Sequence, residues 1–221
     1  MSASFSASMA QTYIGATLGN MFSQITMRGV RGGEGPVNWT DVTLNGLQVG
    51  TAFIAYPISC KILSNVCPQF KENLENPKGN KLMVYTLGGV GAAAILTAVN
   101  LPISKMAASL KTKTCQAPKA SDFVSTFVDS VGSSIGFAAT MGTLAPLVPV
   151  PKDSLGQWGR ANFLVNVSNI GGKVFSYPIH SLRYGSTLTG MVGGYIQNMG
   201  GVVITGDATN HFKNLLQFLI Q

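Results

Sequence analysis

The residues able to act as nucleophiles, bases or metal ligands are few and scattered. The 221-residue chain has two histidines, His180 and His211, three cysteines, Cys60, Cys67 and Cys115, and eight acids. No cysteines stand at CxxC spacing and no histidine neighbours one, so neither a zinc site nor a disulfide framework is expected. No GxSxG, HExxH, Walker loop or dinucleotide fingerprint occurs. TLGGVGAAA at 86–94 imitates a phosphate loop, but no lysine follows, and its glycines suit a helix-packing face better. Enzyme activity, a metal and a cofactor are therefore not expected; bound lipid is the one companion the composition suggests. What remains is FSYPIHSLRYG at 175–185, where a proline and scarce polar groups end an apolar run. The pattern returns as AYPISCKIL at 55–63 and NLPISKMAASLK at 100–111.

Those residues must be positioned by elements of an unusual composition. Only 10% of the chain is charged and 26 residues are glycine, against about 25% and 7% in ordinary soluble domains. Charge is absent from 1–27, 42–60, 82–104, 130–151 and 184–206, and only Lys173 follows the uncharged 161–172. A bilayer-spanning helix needs about 20 mainly apolar residues, so the expected fold is an all-α membrane protein with five or six transmembrane helices in one domain over 1–221. Ser, Thr, Asn and Gln interrupt the windows, which favours helices that face one another. Gly15 with Gly19, Gly46 with Gly50, Gly132 with Gly136 and Gly190 with Gly194 form small-xxx-small pairs that let backbones approach closely. RGVRGGEGPVNWTD (28–41), CPQFKENLENPKGNK (67–81), KTKTCQAPKASD (111–122) and PKDSLGQWGR (151–160) read as loops. They carry most of the net charge of +7, which suits lipid headgroups at membrane ends. Without a basic helix or stacking aromatics, nucleic acid is not an expected partner. The start of the chain has no basic n-region and no transit-peptide arginines, so any address is expected to be internal.

The segments 85–113 and 158–186 each run through small residues to a bulky residue and a proline, Leu101-Pro102 and Tyr177-Pro178, and continue into polar positions. This resembles the odd-numbered helices of the mitochondrial carrier family, which kink at an aromatic-Pro-x-acid-x-x-base signature. The remnants are Pro57, Pro102, Tyr177, Pro178 and Arg183. The resemblance implies a carrier-like bundle of three repeats, with a shortened first one (1–81, then 82–151 and 152–221). It also implies a surface helix ahead of the spans that follow Pro102 and Pro178. AYPISCKIL fits either the first odd helix or an even one. The departures are specific: Ser59, Ser104 and His180 fill the acid positions, and Ile62, Ala107 and Arg183 the base positions. In the family those charges pair to close the cavity, so a degenerate, non-transporting member is expected. Its expected role is a supernumerary structural subunit of a multi-pass mitochondrial inner-membrane assembly, a respiratory-chain complex such as cytochrome c oxidase or ATP synthase, with the other subunits and membrane lipids as partners. Two alternatives stay open: a small-solute carrier lined by Asn100, Asn169, Lys173, Gln197 and Asn198, and a glycine-rich subunit of a protein-translocase channel.

Overall fold

A computed structural model describes residues 3–220, and every regular element among them is helical. Six helices are long: α1 (Ala3–Val30), α2 (Trp39–Val66), α4 (Lys81–Thr112), α5 (Ala120–Leu144), α6 (Ser154–Tyr184) and α7 (Leu188–Ile220). The short α3 (Pro68–Glu75) lies between α2 and α4. The uncharged windows fall in α1, α2, α4, α5 and α7, and the sixth, beside Lys173, falls in α6. Among the described residues, only α2 and α4 are both long enough and apolar enough to cross a membrane. In α5 the shortfall has a plain cause: the uncharged window 130–151 leaves the helix at Leu144, and the helical part carries Asp122 and Asp129.

Helix starts follow local chemistry. Asn38, Asn80, Asp153 and Thr187 accept backbone N–H bonds from Asp41, Met83, Gly156 and Gly190 at 3.2, 3.0, 2.6 and 3.1 Å, satisfying donors that the first turn leaves free. At α5 the acid reaches back instead, Asp122 accepting from the Lys119 N–H at 3.0 Å. Gly185 ends α6 at φ 64°, a left-handed conformation that favours glycine. The segment 67–81, expected as a loop, contains α3. Pro68 opens it where a missing N–H costs nothing, and Phe70 is completely buried. The surface helices expected after Pro102 and Pro178 are not there. The connections 113–119 and 185–187 hold no helix, and each leads straight into a long one.

The chain divides into two compact units. One holds the chain up to Ile54, Leu96–Phe123 and the chain from Asn198 on; the other holds Ala55–Ile95 and Val124–Gln197. In the first unit α1 has a partner on two faces. A Cβ at Gly46 of α2 would lie 2.9 Å from the Thr17 carbonyl, and one at Gly50 2.9 Å from the Tyr13 carbonyl. A Cβ at Gly15 or Gly19 would meet α7, 3.0 Å from the Thr209 carbonyl and 2.8 Å from the Thr205 carbonyl respectively. Positions 13 and 15 point about 200° apart on a helix, which is why one helix can serve both neighbours.

The second unit repeats the device. A Cβ at Gly89 of α4 would stand 2.7 Å from the Ile135 Cα of α5. Gly132 and Gly136 of α5 lie against α6, where an added Cβ would stand 2.9 Å from the Ser176 Cα and 2.7 Å from the Gly171 carbonyl respectively. Gly88 and Gly142 accommodate the rings of Tyr56 and Tyr85.

Three of the four small-xxx-small pairs thus mark contacts. At the fourth there is room for a side chain: a Cβ at Gly194 would meet nothing within 4 Å, and one at Gly190 only the Thr187 hydroxyl of its own first turn. Spacing identifies a surface on which helices can approach closely, and here it does not mark a position that only glycine fits.

Gly89→Ala should cost about 1–3 kcal/mol of stability, because the new methyl overlaps backbone and not a flexible side-chain end. Gly159→Ala, in α6 with nothing within 4 Å, should be neutral or gain up to about 1 kcal/mol. Thermal unfolding of the two variants in detergent micelles checks the contrast.

Candidate functional site

The carrier-like positions are distributed over three helices with an internal proline, α2, α4 and α6. Each proline lacks the N–H that would bond four residues back, so the carbonyls of Phe53, Ala98 and Val174 lose their helical donors. Among the six long helices α4 and α6 are third and fifth, the odd places expected for Pro102 and Pro178. The Pro57 helix is second, so that proline occupies an even place. Pro102 and Pro178 are exposed, and Pro57 and Tyr177 are half-buried.

Each acid position is occupied by a group with a neutral contact. Ser59, 2% exposed, donates to the Gly88 carbonyl of α4 at 2.9 Å. Ser104 accepts from the Gln48 amide of α2 at 2.7 Å, and that same amide lies 3.4 Å from the Asn100 carbonyl. His180 packs its ring on Tyr184 with centroids 5.5 Å apart. Of the base positions, Ile62 is exposed and Ala107 half-buried. Arg183 alone is charged, and it does meet a carboxylate, from outside the motif. Its guanidinium pairs with Asp129 of α5 at 2.8 Å and donates to the Ser125 carbonyl at 3.0 Å and to the Ser125 hydroxyl. The Tyr184 phenol donates to the other oxygen of Asp129 at 2.5 Å, which pushes the tyrosine pKa above its usual range.

Sequence reasoning missed Asp129, reading it only as the edge of an uncharged window. The signal was there: Asp122 and Asp129 are seven apart on α5, hence on one face. Asp122 pairs with Lys105 of α4 at 2.9 Å. Its acceptance of the Lys119 N–H, helped by Lys105, holds its carboxyl below the usual carboxylate range. Asp41 takes Lys111 at 3.0 Å. Gln48 was also missed, since no charge or motif singles it out.

The residues expected to line a solute path are divided between the two units, Asn100 and Asn198 in the first and Asn169, Lys173 and Gln197 in the second. In the first unit Asn100 keeps a buried Oδ1 without a partner, and Asn198 accepts from Arg31 at 3.0 Å. In the second, Asn169 donates to the Val165 carbonyl of its own helix at 3.0 Å, and Tyr195 of α7 donates to Asn166 at 2.5 Å. The described residues contain no group of three His, Cys, Asp or Glu placed to hold a metal ion. Comparison of the chain with protein-family models, curated proteins and solved structures finds no match.

A double-mutant cycle on Asp129→Asn and Arg183→Gln should give a coupling of about 1 kcal/mol or less, because both side chains are partly exposed and solvent screens the pair. The depressed pKa of Asp122 carries a sign: its contribution is complete above the ordinary carboxylate value of about 4 and is lost as pH falls through the lower folded value. Unfolding curves of wild type and Asp122→Asn should therefore differ near neutral pH and converge in acid.

Proposed function

We propose that the chain is a multi-pass membrane protein that does not transport, serving as a structural subunit of a larger assembly. The observation that carries this reading is where its side chains lie. Phe22, Phe53, Phe163 and Val174 are 53%, 40%, 51% and 45% exposed, and Leu82, Leu87 and Ile196 are exposed as well. Most of the fully or nearly buried positions are instead small or hydroxyl-bearing, Ala16, Thr51, Ala55, Ala93, Ser168 and Ser176 among them, with Phe70, Val84 and Leu164 the larger exceptions. A water-soluble core has the opposite order. Helices in lipid gain nothing from hiding large apolar groups from a solvent that is itself apolar, and they associate through small residues.

The polar content that keeps α1, α6 and α7 below the apolarity of a membrane span is compatible with this. Thr17, Asn162, Asn166, Thr205 and Thr209 each donate to the carbonyl four residues back. A hydroxyl or amide satisfied within its own helix enters lipid at far lower cost than one left unpaired. We therefore take all six long helices as spans, in a carrier-like arrangement of three repeats.

The absence of transport rests on the same groups. A gate that opens and closes needs charges that can exchange partners, and the motif positions Ser59 and Ser104 are held in neutral bonds to neighbouring helices. The mitochondrial inner membrane, with a respiratory-chain complex or ATP synthase as host, is proposed from the resemblance of the proline-bearing helices. Alkaline carbonate should leave the chain in the membrane pellet, and proteoliposomes of the purified protein should exchange no solute above protein-free vesicles. Release into the carbonate supernatant would overturn the membrane reading, and substrate-specific exchange the non-transporting one.

A further inference from the structure

Two side-chain oxygens on one turn of α4 are enclosed and have nothing to bond. Among the described residues, Thr97 Oγ1 and Asn100 Oδ1 are buried without a hydrogen-bond partner, and Thr97 as a whole is 4% exposed. Both belong to the first unit, together with Gln48 of α2. The helix does not force this deficit. Thr17, Thr51, Thr205 and Thr209, buried like Thr97, turn their hydroxyls onto the carbonyl four residues back. Asn162, Asn166 and Asn169 do the same with their amides. Thr97 and Asn100 make no such bond, and Asn100 turns its carbonyl oxygen inward instead. A buried polar group left unpaired is costly, so each exception needs a cause.

The surroundings select the ligand. Thr97, Asn100 and Ser104 stand three and four apart and so share a face of α4. Gln48 of α2 covers the outer part of that face, its amide donating to the Ser104 hydroxyl at 2.7 Å and lying 3.4 Å from the Asn100 backbone carbonyl. Ser104 is exposed, Asn100 half-buried and Thr97 buried. At 1.5 Å per residue the face therefore runs about 10 Å inward from Ser104. Residues three apart have Cβ atoms about 5–6 Å apart, a gap that one water closes with two bonds of about 2.8 Å. Donors and acceptors balance as well. Water gives one proton to the Asn100 oxygen, which can only accept, takes one from the Thr97 hydroxyl, and keeps its second proton for the Ser104 end. A metal ion fits less well. Two neutral oxygens fall far short of the roughly six to eight that a hard cation such as calcium takes, and Lys105 adjoins Ser104 at the outer end.

We propose that Thr97 and Asn100 bind one ordered water, which reaches them along the α2–α4 contact from the Ser104 end. The chain itself encloses both oxygens, so the inference does not rest on the membrane reading. The water stands within a turn of Pro102, where the backbone ladder of α4 is already interrupted. The test follows thermal unfolding of the full chain purified in detergent. Thr97→Val and Asn100→Leu, both close in shape to what they replace, should each lower the midpoint by about 2–4 °C, because each leaves the other oxygen and the water short of a partner. The double variant removes all three and should fall by less than the sum. Single variants that raise the midpoint, as relief of an unpaired oxygen would, or strictly additive changes, would overturn the proposal. The wild-type midpoint should be the same in sodium, potassium and choline chloride; a rise confined to the metal salts would assign the site to a cation and overturn it too. A readout that needs no variant is radiolytic hydroxyl-radical footprinting of the wild type, since a bound water generates radicals where it sits. Leu101, 6% exposed and adjacent to Asn100, should be oxidised. An unoxidised Leu101 would contradict the proposal.

Discussion

The structure depends on how closely two helix backbones can approach. At Gly19, Gly89, Gly132 and Gly136 the space a methyl would need is already taken by the backbone of the next helix. Such contacts gain from dispersion between many atom pairs, each worth only about 0.1–0.2 kcal/mol, so they exist only where the surfaces fit. In lipid this fit, with hydrogen bonds between helices, is nearly all that holds helices together.

From that constraint the rest of the sequence follows. If the contact faces must be glycine, alanine, serine and threonine, the large apolar residues are displaced to the remaining faces, where Phe22, Phe53 and Phe163 are found. Hydroxyls on the contact faces then link neighbouring helices: Ser23 donates to the Gly201 carbonyl at 2.7 Å, and Ser59 to the Gly88 carbonyl at 2.9 Å. Such bonds are short, neutral and local, and they fix the rotation of one helix against the next. The charged contacts, Arg183 with Asp129 and Lys105 with Asp122, are partly exposed and add comparatively little.

Much of the helical layout was legible in the sequence because a run without charge is a one-dimensional trace. The runs at 42–60 and 82–104 lie wholly within α2 and α4. The run at 130–151 overshot α5 by seven residues, because Ala145–Pro151 is as uncharged as a helix yet carries three prolines. The short α3 was hidden in a polar stretch, where a single buried Phe70 decides the outcome. Partners were less legible than elements. Arg183 was visible, but its acid was sought two places after a proline, when it stands on α5 as Asp129. Gly190 with Gly194 had the same spacing as the pairs that pack, and nothing local distinguishes a glycine whose Cβ would strike a neighbouring backbone from one where a Cβ has room.

The account stands on large side chains facing lipid and small ones facing protein. The most direct measurement is labelling of the full chain, in its membrane, by an apolar carbene reagent dissolved in the bilayer, with modified residues mapped by mass spectrometry. The account predicts label on Phe53, Leu87, Phe163, Val174 and Ile196 and none on Ala16, Ala93, Ser168 or Ser176. Equal labelling of both sets, or label confined to α2 and α4, would contradict it.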